Sequence, residues 1–132
     1  MPVVSGHESD LVATWRDLMA RHAAVTCALD RALHDGHGLG VSEFEVLDRL
    51  AGTGKRRVQE LAEAIGLSQS ALSRTVARLE KDGLVDRCMC AEDRRGIWVS
   101  LTEAGRARHA AAQPTQRAVL AAHLATPVPA AP

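Results

Sequence analysis

From Leu11 the chain repeats one position in alternating steps of four and three: Leu11, Trp15, Leu18, His22, Val25, Leu29 and Ala32. That spacing predicts one long helix over about 10–34 with a heptad-like seam, widened by Met19 and Leu33 and stopped in the Gly36–Gly40 stretch. Residues 1–9 carry no such pattern and read as a flexible arm. Ser42, with Glu45 three residues later, forms a capping-box pair that starts a second helix. Its apolar face is Phe44, Val46, Leu47 and Leu50, and Gly52 and Gly54 end it. Lys55-Arg56-Arg57 reads as a basic link. Val58, Leu61, Ala62 and Ile65 then form a short helix closed by Gly66. Ser68 caps another, with Leu72, Val76 and Leu79 inward and Asp82-Gly83 at its end.

After Gly83 the period changes. Leu84 to Cys90 reads as a short strand, Ala91 to Gly96 as a polar turn, and Ile97, Val99 and Leu101 alternate with Trp98 and Ser100 as a second strand. Thr102 caps a final Ala-rich helix running to Leu124, with Pro114 as a kink or restart. Residues 125–132 (ATPVPAAP) are a tail. The expected fold is mainly α with a small β-hairpin wing.

Composition narrows this further. With 132 residues there is room for one ordinary domain. The apolar content is dominated by Ala and Leu, which favour close-packed helices over a β-sandwich. No apolar run is long enough for a membrane span, and no basic segment followed by an apolar stretch opens the chain as a secretion signal would. Three cysteines are odd in number and sparse, which fits a reducing cytoplasm. Sixteen Lys and Arg balance sixteen Asp and Glu. The balance is uneven along the chain: residues 49–108 hold twelve of the cations and only eight of the carboxylates. A basic segment beside an acidic remainder points to a polyanionic partner for that segment.

The two short helices joined at Gly66 have a helix-turn-helix pattern. Gly66 permits a positive φ in the turn, and Ala62 allows the helices to cross closely. Leu61, Ile65, Leu67, Leu72 and Val76 are expected to bury the shared face. The second helix is left to expose Gln69, Ser70, Ser73, Arg74, Thr75 and Arg78, short hydrogen-bonding groups and cations suited to base edges and phosphates. A hairpin whose tip is Glu92-Asp93-Arg94-Arg95 follows directly and makes the unit a winged helix. An Arg at such a tip enters the minor groove, and Asp93 is placed to brace Arg95.

The segment EDRRGIWVSLTEAGR (92–106) resembles the wing signature of the MarR transcriptional regulators, and SALSRTVARLEKDGLVDR (70–87) resembles their recognition helix and following strand. VSEFEVLDRLA (41–51) is similar to their second helix, and the likeness extends over roughly 10–125. The resemblance implies a cytoplasmic homodimer binding double-stranded DNA at a palindromic operator. It also implies repression relieved by a small anionic or phenolic ligand, or by thiol oxidation. By position it assigns Ser68, Gln69, Ser70, Ser73, Arg74 and Arg78 to the major groove and Arg94 and Arg95 to the wing. It divides the chain into the arm (1–9), a dimerisation helix and loop (10–40), the winged helix (41–101), a second dimerisation helix (102–124) and the tail (125–132). Members of the family continue into a further helix where this chain has ATPVPAAP, so the dimer is expected to rest on the first and last helices.

Other residues invite narrower readings. Trp15, Met19 and His22 are candidates for an effector pocket between the dimer helices and the winged helix. Cys88 and Cys90, two apart on a strand, share a face and are candidates for a thiol switch, with Cys27 on the long helix as a third thiol. His34 and His37, three apart near a helix end, could meet a metal only with His7 or Asp35, and no metal or cofactor is expected. The alternatives to a ligand-gated regulator are a redox-gated one and a winged-helix protein-interaction module that binds no DNA. No nucleophile elbow or Gly-rich phosphate loop is present, so an enzyme is not expected.

Overall fold

The computed structural model describes residues 3–89 and 96–125, with side chains from His7 onward. Helix α1 spans Val3–His37, α2 Val41–Thr53, α3 Val58–Ile65, α4 Gln69–Lys81 and α5 Glu103–Leu124. Three short strands, β1 (Lys55–Arg57), β2 (Val85–Met89) and β3 (Ile97–Leu101), form one antiparallel sheet in the order β1-β3-β2. No helix among the described residues is long and apolar enough to cross a membrane.

Several expectations shift. Helix α1 begins seven residues before the predicted start, so most of the supposed arm is helical, and it runs to His37. No proline lies within 3–9, and His7, Glu8 and Ser9 are exposed, so no apolar stripe marks them. The cap of α2 lies two residues earlier than Ser42: Gly40 is the N-cap, and its N–H donates to Glu43 Oε1 at 2.9 Å. The basic link is a strand, because Lys55–Arg57 pairs with Trp98–Ser100 of β3. Three residues are too few for any periodicity to register. Helix α5 passes through Pro114 without restarting. The remaining helix ends, including the Ser68 and Thr102 caps, fall where the sequence placed them.

The core is aliphatic apart from Phe44. Leu29 and Leu33 of α1, Phe44, Val46, Leu47 and Leu50 of α2, and Leu72, Val76 and Leu79 of α4 are all buried. They meet Val85, Val99 and Leu101 of the sheet and Ala112 of α5 in one cluster. Each Leu, Val or Phe among them contributes roughly 1.5–3 kcal/mol on full burial. Helix α1 contributes to this cluster only through its C-terminal third. Its earlier apolar residues Leu11, Val12, Trp15, Leu18 and Met19 are exposed, Trp15 to 60%.

Helix α5 is anchored to the winged helix at its first turn. Thr102 Oγ1 donates to the Gly83 carbonyl (2.7 Å) and accepts from the Gly105 N–H (3.0 Å), while the Thr102 N–H donates to the Leu84 carbonyl (3.1 Å). Further along, Arg108 Nη1 donates to the His37 carbonyl at 3.0 Å, and His37 Nε2 meets Thr115 Oγ1 at 2.8 Å. Buried His109 pairs with Asp48 at 2.7 Å and stacks on Phe44, ring centroids 5.5 Å apart.

Gly105 has no room for a side chain, since a Cβ there would overlap the Leu84 carbonyl. Gly105→Ala is therefore expected to cost roughly 1–3 kcal/mol or more, as overpacking does. Gly36, in α1, has nothing within 4 Å of its Cβ position. Gly36→Ala should instead stabilise by up to about 1 kcal/mol. Urea denaturation of the two variants checks the contrast, and equal midpoints would contradict it.

Candidate nucleic-acid interface

Helices α3 and α4 form the expected helix-turn-helix. Gly66 closes α3 with φ 84°, a conformation that disfavours any side chain, and its N–H bonds the Ala62 carbonyl at 2.9 Å. Ala62 is buried between the helices. Ser68 Oγ accepts the Ala71 N–H at 3.1 Å, so this hydroxyl works first as the cap of α4. Leu72, Val76 and Leu79 face the core, while Ile65 and Leu67 are only partly buried against it.

At 3.6 residues per turn, the burial of Leu72, Thr75, Val76 and Leu79 fixes the opposite face of α4. That face is centred on Ser70, Arg74, Ala77 and Lys81, flanked by Gln69, Ser73 and Arg78, all exposed. Thr75 does not belong to it. It is buried, and its hydroxyl bonds the Ala71 carbonyl at 3.1 Å. Arg78 leans towards the body, its Nη1 3.9 Å from Glu43 Oε1. Lys81 follows the last apolar position of α4, so the periodicity does not mark it, yet it shares the Arg74 face.

The sheet stands beside α4. Arg87 of β2 donates through Nε (3.1 Å) and Nη2 (2.9 Å) to Glu80 Oε1, tying the recognition helix to the wing. Arg94 and Arg95, with Glu92, Asp93 and Cys90, lie outside the described residues. Cys88 is exposed on β2, and Cys27 is exposed on α1. A second basic feature is Trp98 of β3, with Lys55 Nζ 5.1 Å and Arg57 Cζ 5.0 Å from its ring centroid.

A cleft of about 630 Å³ lies between α1, the start of α2 and the helix-turn-helix, lined among others by His22, Thr26, Asp30, Glu45 and Arg78. Of the three residues suggested for an effector pocket, the structure brings only His22 to this cleft. Trp15 and Met19 stand on the exposed stretch of α1. Among the described residues no three His, Cys, Asp or Glu side chains converge as metal ligands. His34 is exposed, and His37 is spent on Thr115.

Glu45, at the cleft edge, has its carboxyl raised above the ordinary 4.5, chiefly by burial and then by the charge of Asp48, with Arg49 pulling the other way. The folded state thus holds this proton more tightly than the unfolded chain. The resulting cost is absent below the unfolded value and appears as pH rises through the folded one. Glu45→Gln should accordingly be more stable than wild type at pH 7, with the advantage vanishing below about pH 4. Denaturation midpoints across pH test this, and a less stable variant at pH 7 would refute it.

Residues 37–96 match the sequence profile described as the MarR family. The chain is 31% identical to AbsC, a MarR family transcriptional regulator from Streptomyces coelicolor, covering 86% of this chain and 77% of that one with a TM-score of 0.79. It is 30% identical to Sco3205 from the same organism, a MarR family regulator solved in complex with DNA, covering 93% and 78% with a TM-score of 0.82. BpsR of Bordetella bronchiseptica, whose DNA binding is regulated by 6-hydroxynicotinic acid, shares the fold at 21% identity, 89% coverage of both chains and a TM-score of 0.79.

Proposed function

The chain belongs to the MarR family of transcriptional regulators, and from that premise we propose that it is a cytoplasmic repressor that binds a palindromic operator as a homodimer. The observation that carries this reading is the outward face of α4. Ser70, Ser73, Arg74 and Lys81 are exposed there on a helix held rigidly from behind by Leu72, Val76 and Leu79. Short hydroxyls and cations on a helix fixed in this way suit the major groove, where Arg reads guanine and Ser reads either base type. Ser68 and Gln69 open the same helix, and Arg78 flanks it. Arg94 and Arg95 are assigned to the minor groove beside it.

The homodimer is supported by the exposed apolar stripe Leu11, Val12, Trp15, Leu18 and Met19 on α1. A contiguous patch of that kind on a helix projecting from the body marks an association surface. Effector release is supported by the cleft that joins α1 to the helix-turn-helix, since an occupant there touches both halves. BpsR, built on the same fold, illustrates such control. The effector class is a small anionic or phenolic molecule, for which Arg78 and His22 are the cleft's basic contacts beside the carboxylates of Asp30, Glu43 and Glu45.

Duplexes selected by the protein from a random pool should contain an inverted repeat. Arg74→Ala should weaken binding to the selected duplex by roughly 1–3 kcal/mol for each lost base contact and relax its preference at one position of each half-site. No selected sequence, or full affinity in the variant, would favour the DNA-free interaction module. In sedimentation at micromolar concentration the protein should run as a dimer, and Leu18→Asp should run as a monomer. A wild-type monomer would overturn the two-fold operator.

A further inference from the structure

Strand β1 brings three consecutive basic residues to the sheet, and its register decides where they point. Arg57 pairs with Trp98, which pairs with Cys88, while Lys55 pairs with Ser100, which pairs with Asp86. Directly paired residues share a sheet face. The alternate rows hold Val99, Val85 and Leu101, all buried. Lys55, Arg57 and Trp98 therefore stand together on the outer face. The ring lies about 5 Å from both cationic groups. It orients them without neutralising them, as a carboxylate would. Glu60 is 3.9 Å from Arg57 Nε, and Asp86 sits one strand beyond Ser100.

Two more positions place this cluster within the DNA-facing part of the fold. Arg57 is the N-cap of α3, the first helix of the helix-turn-helix, which in this class of motif crosses the nucleic-acid backbone. Its side chain also runs along Gly96, where a Cβ would come within 3.4 Å of Arg57 Cδ. Gly96 immediately precedes β3. Arg57 thus bridges the start of α3 and the base of the wing.

We propose that Lys55, Arg57 and Trp98 form a phosphate-binding surface on the outer face of the wing sheet, holding the DNA backbone between the α3 start and the wing. The surface positions the duplex and reads no base. It rests on the DNA-binding reading and adds to it a contact made by β1.

The test uses the full-length protein and a 30-base-pair duplex of mixed sequence, with affinity measured by fluorescence anisotropy from 50 to 200 mM salt. Each phosphate contact contributes about 0.9 to the log–log salt slope. The K55Q/R57Q variant should lose about 1.8 from the slope per bound protomer. Its affinity deficit against wild type should shrink about twelvefold across that fourfold salt range. K55R/R57K, which keeps both charges, should retain the wild-type slope, and this separates lost contacts from a damaged sheet. An unchanged slope in K55Q/R57Q, while Arg74→Ala still weakens binding, overturns the proposal alone. A wild-type protein that binds no duplex overturns both it and the DNA reading.

Discussion

One hydroxyl sets the relation between the two halves of this molecule. Thr102 Oγ1 donates to the Gly83 carbonyl at the end of the recognition-helix turn and accepts from the Gly105 N–H in the first turn of α5. Both bonds involve a backbone group that a turn or a helix end would otherwise leave unsatisfied. Gly105 then lies directly on the Leu84 carbonyl, in a space too small for a side chain. The start of α5 is thereby fixed to the junction between α4 and β2. Any displacement of α5 must act on the joint that orients the recognition helix.

The rest of α5 extends this coupling. Arg108 donates to the His37 carbonyl at the end of α1, His37 reaches Thr115, and His109 pairs with Asp48 while stacking on Phe44 of α2. Of these groups His109 is buried, so parting it from Asp48 would leave a polar ring atom without its partner. On the other side, Arg87 and Glu80 tie the wing sheet to α4. Hydrogen bonds and ion pairs thus join the two long helices, α4 and the sheet to one another.

Electrostatically the molecule is divided. The formal charge sums to zero, yet the segment from Arg49 to Arg108 is net basic and the remainder net acidic. The fold concentrates this further by moving Lys55 and Arg57 from a linker onto the wing sheet. Attraction of a polyanion depends on such local fields more than on the sum. The acidic residues that line the cleft, Asp30, Glu43 and Glu45, lie on α1 and α2, on the body side of Arg78.

Most of the element order was legible from the sequence, because helices with an apolar face of period 3.6 and strands with period 2 announce themselves locally. Leu72, Val76 and Leu79 identified α4, Ile97, Val99 and Leu101 identified β3, and Ser68 and Thr102 identified two helix starts. What stayed hidden was non-local. A three-residue strand has no period of its own, and Lys55–Arg57 became β1 only through pairing with β3. The cap of α2 is an exception: Gly40 and Glu43 are three residues apart, but Ser42 and Glu45 offer a competing signal at the same spacing, and only the hold of Asp30 on the Val41 N–H comes from another helix. Thr75 read as a surface residue by type, and packing decided otherwise. By itself the sequence determined the helix-turn-helix, its capping and the chemistry of the recognition face, since these depend on residues within a few positions of one another. The cleft beside His22, the Thr102–Gly83 joint and the Lys55–Trp98–Arg57 cluster were decided by tertiary structure. Their parts lie tens of residues apart and meet only when the aliphatic core closes.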